Sequence, residues 1–157
     1  MPENSGQDHP GVRIPPPLIF GALLFAGLWI SSAWIEGEMA PLSWTVAGAV
    51  LALTGVLLIL FSIPGFFKHD TNIEPWKPAS AIISDGVYAW SRNPIYLGMA
   101  VASSGLAIAA KSWPGLAGVA IAVLIVRHYV IAREERYLET RFGEEYKAYT
   151  ARVRRWF

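Results

Sequence analysis

Two clusters of polar residues could do chemistry, and each lies at the end of an apolar stretch. The first cluster occupies residues 85–98 and reads DGVYAWSRNPIYLG. Asn93 and Pro94 predict the start of a helix there, because asparagine caps helix N-termini and proline fits the first turn. The free N–H groups at a helix start suit a carboxylate or another anion. A capped helix with aromatic side chains at a membrane interface would contain the same residues, so an anion site and a purely structural helix start both remain open.

The second cluster, residues 133–138, reads REERYL and contains two adjacent acids, Glu134 and Glu135. Adjacent acids at the end of an apolar helix usually form a solvated face. They could also bind an amino group or place negative charge near a sulfonium. His128 precedes Glu135 by seven residues and shares its helical face, so either residue could serve as a general base. A single histidine such as His128 is more often a residue packed at the membrane interface than a general base.

The composition favours a membrane protein and argues against several other classes. Hydrophobic residues make up 54% of the 157 residues and charged residues only 16%, against about 25% charged in soluble domains. A net charge of +1 gives no basic field for nucleic acid. The absence of cysteine excludes thiolate metal sites and cysteine nucleophiles, and the three histidines show no metal-binding spacing. We therefore expect neither nucleic acid nor a metal ion as a partner.

Uncharged stretches predict four transmembrane helices, over about residues 18–35, 42–63, 94–110 and 113–132. Pro64 and Gly65 should end the second helix or break it near the membrane surface. A flexible N-terminal tail, residues 1–17, precedes the first helix, and residues 18–157 form a single domain. A cleaved signal peptide is the alternative for the first stretch, although its 18 residues exceed the usual length of about 15.

The positions of the basic residues orient these helices. With both termini in the cytoplasm, 12 of the 13 Lys and Arg residues lie inside and only Lys111 lies outside. The first outer loop then carries two acids, Glu36 and Glu38, and no basic residue. The sequence therefore predicts an integral membrane protein with both termini cytoplasmic.

Residues 133–157 differ in kind from the apolar stretches. Six apolar or aromatic residues recur there at intervals of three or four positions: Leu138, Phe142, Tyr146, Tyr149, Val153 and Trp156. Such spacing is typical of one apolar face on a helix, which Gly143 weakens locally. We expect an amphipathic helix that lies on the cytoplasmic membrane face or covers a pocket there. The predicted fold is therefore all-α and polytopic, with four transmembrane helices and a C-terminal amphipathic helix.

Three motifs in the second half of the chain follow one another in a recognisable order. They are Gly86-Val87-Tyr88, then Arg92-Asn93-Pro94-Ile95-Tyr96-Leu97-Gly98, then Glu134-Glu135-x-x-Leu138. In order and spacing they resemble the isoprenylcysteine carboxyl methyltransferase family and the related phospholipid methyltransferases, where the second motif often reads Arg-His-Pro-x-Tyr-x-Gly. The resemblance covers roughly residue 71 to the C-terminus, and the chain is identified as a small bacterial-type member.

The resemblance implies an S-adenosylmethionine-dependent membrane methyltransferase. In the family these motifs form the cofactor pocket, so the implied cofactor-binding residues are Tyr88, Arg92, Asn93, Pro94, Tyr96, Gly98, Glu134 and Glu135. Asn93 stands where the family often has histidine, so the polar contact there must come from an amide. Val130 lies near the position where larger relatives carry a substrate-binding arginine, so the resemblance does not specify isoprenylcysteine as the acceptor.

The implied reaction transfers a methyl group to a lipidic or small apolar acceptor at the cytoplasmic interface of a bacterial inner membrane. The acceptor would be a prenylcysteine-like carboxylate, a phospholipid amine or a thiol. An amine must first be neutral, and Glu134, Glu135 or His128 would then be the candidate base.

Two other classes remain open. One is a non-enzymatic membrane scaffold or small transporter, although no charged residue lies within the first three apolar stretches. The other is an NADPH-dependent membrane reductase, because sterol reductases share part of this architecture.

Overall fold

The computed structural model describes residues 9–34 and 40–156, and every regular element within them is a helix. The α-helices, numbered in chain order, are α1 (Pro16–Trp34), α2 (Leu42–Lys68), α3 (Pro94–Ala109), α4 (Trp113–Ile125), α5 (Ala132–Phe142) and α6 (Glu144–Arg152). A 3₁₀ turn, Gly86–Ala89, lies before α3, and a π-helical segment, Val126–Ile131, joins α4 to α5. The predicted all-α class is confirmed. The predicted outer loop with Glu36 and Glu38 lies outside the described residues.

Three stretches in the described part of the chain are long and apolar enough to cross a membrane: Pro16–Ala33, Leu42–Lys68 and Trp113–Phe142. The third stretch combines α4, the π segment and α5 in one continuous rod. The apolar α3 has only 16 residues, short of the roughly 20 that a perpendicular span needs. Large side chains such as Phe25 and Phe61 are exposed on these helices, as expected of surfaces that contact lipid.

α2 and α3 approach each other until their backbones touch. A Cβ atom built at Gly55 would lie 2.5 Å from the carbonyl oxygen of Gly98, and one built at Gly105 would lie 2.5 Å from the carbonyl oxygen of Gly48. Both distances are too short for a real side chain. The pair therefore depends on these small residues, a common feature of helix contacts in membranes.

The other main contact joins α1 to α4. Ser112 is buried at the N-cap of α4, where its Oγ accepts a hydrogen bond from Gly115 N at 2.9 Å. The same Oγ lies 2.6 Å from Ser31 Oγ on α1. Phe20 and Val119 are buried in the core between the two helices. The helices thus pack as two pairs, α2 with α3 and α1 with α4. Because α3 also contacts α1 and α4, the two pairs form one bundle.

The second helix is longer than predicted. It does not end or break at Pro64 but continues to Lys68. A proline removes one backbone hydrogen bond, and neighbouring groups in membrane helices often compensate. Two residues earlier, the buried Ser62 Oγ donates to the Leu58 carbonyl at 2.6 Å.

The C-terminal segment is two helices instead of one. α5 ends at Phe142, and Gly143 has φ 52° and ψ −120°, a backbone conformation that favours glycine. The chain changes direction there before α6 begins at Glu144. Tyr146, Tyr149 and Val153 are nevertheless buried together, so the apolar face that the spacing predicted exists but is divided between two helices.

The predicted N-terminal tail is ordered in its described part. Val12 is only 2% exposed and belongs to the main core. The backbone N–H of Arg13 donates to the Tyr129 hydroxyl at 3.1 Å, and α1 begins at Pro16 instead of residue 18. We call residues 9–15 the N-terminal arm.

Candidate functional site

A cavity of about 270 Å³ lies where the connection between α2 and α3 meets α3, α5 and α6. The connection contributes mostly polar and aromatic side chains to its lining, among them Thr71, Asn72, Glu74, Trp76 and Lys77. The helices contribute apolar residues, among them Pro16, Pro17, Ile95, Met99 and Leu138, as well as the two acids of α5 and several tyrosines. One cavity thus offers surfaces to both a polar and an apolar ligand.

Hydrogen bonds fold the connection back onto the helices. Asn72 Nδ2 donates to the Pro78 carbonyl at 2.8 Å, and Ala79 N donates to the Tyr137 hydroxyl on α5 at 3.1 Å. Asp85, near the end of the connection, pairs with two residues at the end of α2. One is Lys68, and the other is His69, whose Nε2 lies 3.0 Å from the Asp85 carboxylate. The hydrogen bond from Lys68 is the main reason why the pKa of Asp85 lies below its ordinary value. These contacts hold both ends of the connection.

Of the acids that line the cavity, Glu134 has the fewest hydrogen-bonding and ionic partners. Its Oε1 accepts a hydrogen bond at 2.7 Å from the hydroxyl of Tyr96, a buried residue in the first turn of α3. No cation pairs with Glu134 in the described part of the chain. Its carboxylate therefore has acceptor capacity left for a ligand.

Glu135, the adjacent residue, is in the opposite situation. Arg92 Nη1 lies 3.2 Å from its Oε1, and Arg155 Nε donates to the same oxygen at 3.0 Å. Arg155 Nη2 pairs with the other oxygen. Two guanidinium groups thus neutralise Glu135, which ties α5 to both the connection and the C-terminal residues.

Residues 153–156 form a strap across the start of α3. Arg92 N donates to the Arg154 carbonyl at 3.0 Å. Asn93 Nδ2 donates to the Arg155 carbonyl at 3.0 Å, and Ser91 Oγ donates to the same carbonyl at 3.4 Å. The amide of Asn93 therefore holds the strap, although Asn93 also lines the cavity.

Three tyrosines surround the cavity beside these acids. The Tyr149 hydroxyl donates to the Tyr88 carbonyl at 2.8 Å, which joins α6 to the 3₁₀ turn. Burial raises the pKa of Tyr88 and Tyr149 well above the ordinary value, and burial also raises the pKa of Tyr146 to about 12. All three phenols are therefore neutral at physiological pH, and the Tyr149 hydroxyl uses its proton in the bond to Tyr88.

The structure brings most of the predicted site residues together. The cavity is lined by Tyr88, Arg92, Asn93, Pro94, Tyr96, Glu134 and Glu135. Gly98 lies elsewhere, because it packs against Gly55 and Ile59 of α2. His128 is exposed on the π segment and does not line the cavity. The π segment changes the helical register, so the seven-residue spacing does not place His128 beside Glu135.

Sequence reasoning did not identify Arg155, Tyr146 or Tyr149 as site residues. The two tyrosines had a usable signal, since they belong to the apolar face predicted to cover a pocket. Arg155 had none, because it is one of several basic residues near the C-terminus.

The charges around the cavity suit a ligand that carries both an ammonium and a carboxylate group. Glu134 can accept hydrogen bonds from the ammonium. Arg92 lines the cavity, and its Nε is buried without a hydrogen-bond partner in the described structure. A buried unpaired donor is costly unless a ligand satisfies it. Among the described residues, no group of three His, Asp or Glu could hold a metal ion.

Known proteins include several with similar sequences. The family model for phospholipid methyltransferase matches residues 43–145, which contain the motifs around Tyr88, Tyr96 and Glu134. Protein-S-isoprenylcysteine O-methyltransferase of the mouse is 28% identical over 136 residues, covering 78% of this chain and 47% of the mouse protein. The human protein of the same name is 27% identical over the same shares.

A shorter match is to an uncharacterized protein of Haemophilus influenzae, 54% identical over 39 residues, which covers 25% of this chain and 62% of that protein. The chain spans about half the length of the mammalian relatives that it matches. No solved structure matches it.

Proposed function

The chain belongs to the phospholipid methyltransferase family, and from that premise we propose that it transfers methyl groups from S-adenosylmethionine to a lipidic or small apolar acceptor. The observation that carries this proposal is that one cavity is lined both by Glu134, whose carboxylate has spare acceptor capacity, and by Arg92, whose buried Nε has no partner in the described structure.

The methionine part of S-adenosylmethionine has the two charged groups that this pairing would bind. In our proposal Glu134 accepts from the cofactor's ammonium group, and Arg92 Nε donates to its carboxylate. The neutral Tyr88, on the 3₁₀ turn, and Tyr96 border the same space. Pro94 and Asn93 shape the start of α3, and Gly98 acts indirectly, by letting α3 approach α2.

The bound cofactor would supply an electrophilic methyl group on a sulfonium that is already a good leaving group. The protein then has to orient the two reactants and exclude water from between them. The apolar lining at Ile95, Met99 and Leu138 is where we place the acceptor. A prenylcysteine-like carboxylate, a phospholipid amine and a thiol are all admissible.

A general base is needed only if the acceptor is an amine, and none of the three candidate residues is free for that role, because we assign Glu134 to the cofactor's ammonium group. His128 is exposed outside the cavity, and Glu135 is held by Arg92 and Arg155. A carboxylate or thiolate acceptor is already nucleophilic, so the same site would need no proton transfer.

The three apolar helices and the family membership indicate an integral membrane protein. We propose further that α3 is a fourth span and that both termini are cytoplasmic. In that orientation the cavity opens at the inner interface of a bacterial membrane. A water-soluble cofactor can enter there from the cytoplasm, and a lipidic acceptor can enter sideways from the bilayer. Residues 18–157 would act as a single domain.

The decisive experiment has two arms. In the first, the protein purified in detergent is titrated with S-adenosylmethionine and with NADPH, and we expect only the former to bind. In the second, the protein is incubated with a total lipid extract and methyl-labelled cofactor, and label should appear in the apolar fraction. Binding of NADPH alone would favour a reductase, and binding of neither would favour a scaffold or transporter. Either result would refute the proposal.

A further inference from the structure

A second cavity lies on the other side of the N-terminal arm from the first. Three arginines line it, Arg13 from the arm and Arg133 and Arg136 from α5, together with Tyr129 of the π segment. We call it the arginine cavity. Pro10 and Tyr137 line both cavities and thus form the wall between them.

The arginine cavity is built by specific contacts. The buried Val12 anchors the arm in the core, and the next residue, Arg13, donates its backbone N–H to the Tyr129 hydroxyl at 3.1 Å. Arg133 Nη1 donates to the Tyr129 carbonyl at 3.0 Å, and its guanidinium lies 4.1 Å from the centre of the Tyr129 ring. Tyr129 therefore holds the arm and one guanidinium at the same place.

Among the described residues, no carboxylate compensates the charge of this cavity. No acidic residue lines it, and none of its three arginines forms a salt bridge within residues 9–34 and 40–156. Arg92 and Arg155, beside the first cavity, both pair with Glu135. Guanidinium groups left without a carboxylate are suited to bind phosphate, which they contact through two parallel hydrogen bonds.

The position of the arginine cavity along the helices points to a lipid as the source of the phosphate. Arg13 lies three residues before the apolar stretch Pro16–Ala33. Arg133 follows Val126, the last residue of an uncharged run, by seven residues, or about 10 Å along a helix. Both arginines therefore lie at the level where lipid headgroups meet water, and basic clusters at that level attract anionic lipids.

We propose that the arginine cavity binds the phosphate group of an anionic membrane lipid. The lipid would lie beside the wall formed by Pro10 and Tyr137, next to the first cavity. This inference rests on the geometry of the arm and α5 and does not require that the protein transfer methyl groups.

Binding can be tested on the full chain in a neutral detergent. The protein is titrated with short-chain phosphatidylglycerol, with phosphatidylcholine of the same chain length and with inorganic phosphate. We expect phosphatidylglycerol to bind most tightly. Equal binding of inorganic phosphate would overturn the assignment to a lipid, and equal binding of phosphatidylcholine would overturn the preference for an anionic one.

Arg136→Gln is the main test variant, since Arg136 is exposed and its one described hydrogen bond, from Thr140 Oγ1 at 2.9 Å, is accepted by its backbone carbonyl and survives the substitution. It should weaken phosphatidylglycerol binding about fivefold, which corresponds to about 1 kcal/mol. Arg133→Gln should have at least the same effect. Arg152→Gln, which removes an exposed arginine of α6 outside this cavity, is the matched control and should change binding less than twofold.

If Arg136→Gln and Arg152→Gln weaken binding equally, the attraction is that of a generally basic surface and the proposal is wrong. S-adenosylmethionine binding, measured on the same variants, should stay unchanged. A protein that binds the lipid but not the cofactor would contradict the proposed function and leave this inference standing.

Discussion

At the scale of single residues, the adjacent acids Glu134 and Glu135 should respond differently to the same substitution. Glu134→Gln removes the charge that we assign to the cofactor's ammonium group, and a hydrogen bond to a charged group contributes about 1.5–3 kcal/mol. We therefore expect S-adenosylmethionine to bind 10- to 100-fold more weakly. Calorimetric titration in detergent measures this, and the melting temperature without cofactor should not fall.

Glu135→Gln should instead lower stability, because Arg92 and Arg155 would lose their only described carboxylate partner. A hydrogen-bonding group left without its partner costs about 1–3 kcal/mol when it is buried, and Arg92 and Arg155 are part-buried. Glu144→Gln is the control of equal charge, since its side chain is 88% exposed and its one described ion pair is with Lys147. Such surface pairs contribute at most about 1 kcal/mol. If Glu134→Gln and Glu135→Gln change cofactor binding and melting temperature equally, Glu134 is not a ligand-binding residue distinct from a structural Glu135.

Most of the site residues that the sequence predicted line the cavity, but the sequence did not predict which of them pair with each other and which are left for a ligand. Tyr88, Tyr96 and Glu134 could be found because local motifs contain them. The neutralisation of Glu135 depends on Arg155, which lies 20 residues further along the chain and belongs to no local pattern. The same strap explains why Asn93 hydrogen-bonds a backbone carbonyl, a contact that no motif specifies.

At the scale of elements, the contact between α2 and α3 should be the part of the bundle least tolerant of added volume. In Gly55→Ala the new methyl group would lie 2.5 Å from the Gly98 carbonyl oxygen, and overpacking of this kind costs about 1–3 kcal/mol. Gly21→Ala on α1 is the control, since nothing lies within 4 Å of its Cβ position. That variant should be neutral or slightly more stable.

Unfolding in detergent and denaturant, followed by tryptophan fluorescence, gives the two free-energy changes. Gly55→Ala should lower the free energy of unfolding, and Gly21→Ala should leave it unchanged or raise it slightly. Equal stability of the two variants would contradict a backbone contact between α2 and α3.

α6 should make the fold sensitive to alkaline pH. Burial raises the pKa of Tyr146 from its ordinary value near 10 to about 12, so the folded protein retains a proton that the unfolded chain loses above about pH 10. Stability is therefore retained below pH 10 and falls between about pH 10 and 12, by roughly 1.4 kcal/mol per pH unit for this group.

Tyr146→Phe has no proton to lose, so its stability should fall less steeply over the same range. Melting temperatures between pH 8 and 11.5 test this. Parallel curves for Tyr146→Phe and the unaltered protein would show that Tyr146 does not contribute to the alkaline loss.

The existence of the apolar helices could be predicted from charge-free stretches, but their ends could not. Helix α2 passes Pro64 because one lost backbone hydrogen bond does not outweigh the rest of the helix. The division at Gly143 and the π segment could not be predicted from the apolar spacing, because apolar residues every three or four positions fit both a continuous helix and an interrupted one.

At the scale of the whole molecule, the proposed orientation can be tested with single cysteines, because the chain has none. Cysteine at Lys111, in the turn between α3 and α4, should react with a membrane-impermeant thiol reagent applied from outside. Cysteine at Lys77 or Lys147 should react only after the membrane is opened. Labelling of Lys147→Cys from outside would reverse the topology and place the cavity on the other side of the membrane.

The π segment also bears on how related sequences diverge. A π turn arises when an α-helix accommodates one extra residue, and one residue corresponds to about 100° of helix rotation. In an alignment of related sequences, a one-residue gap at this point would therefore mark a changed cavity, even where the motifs around Tyr96 and Glu134 are unchanged.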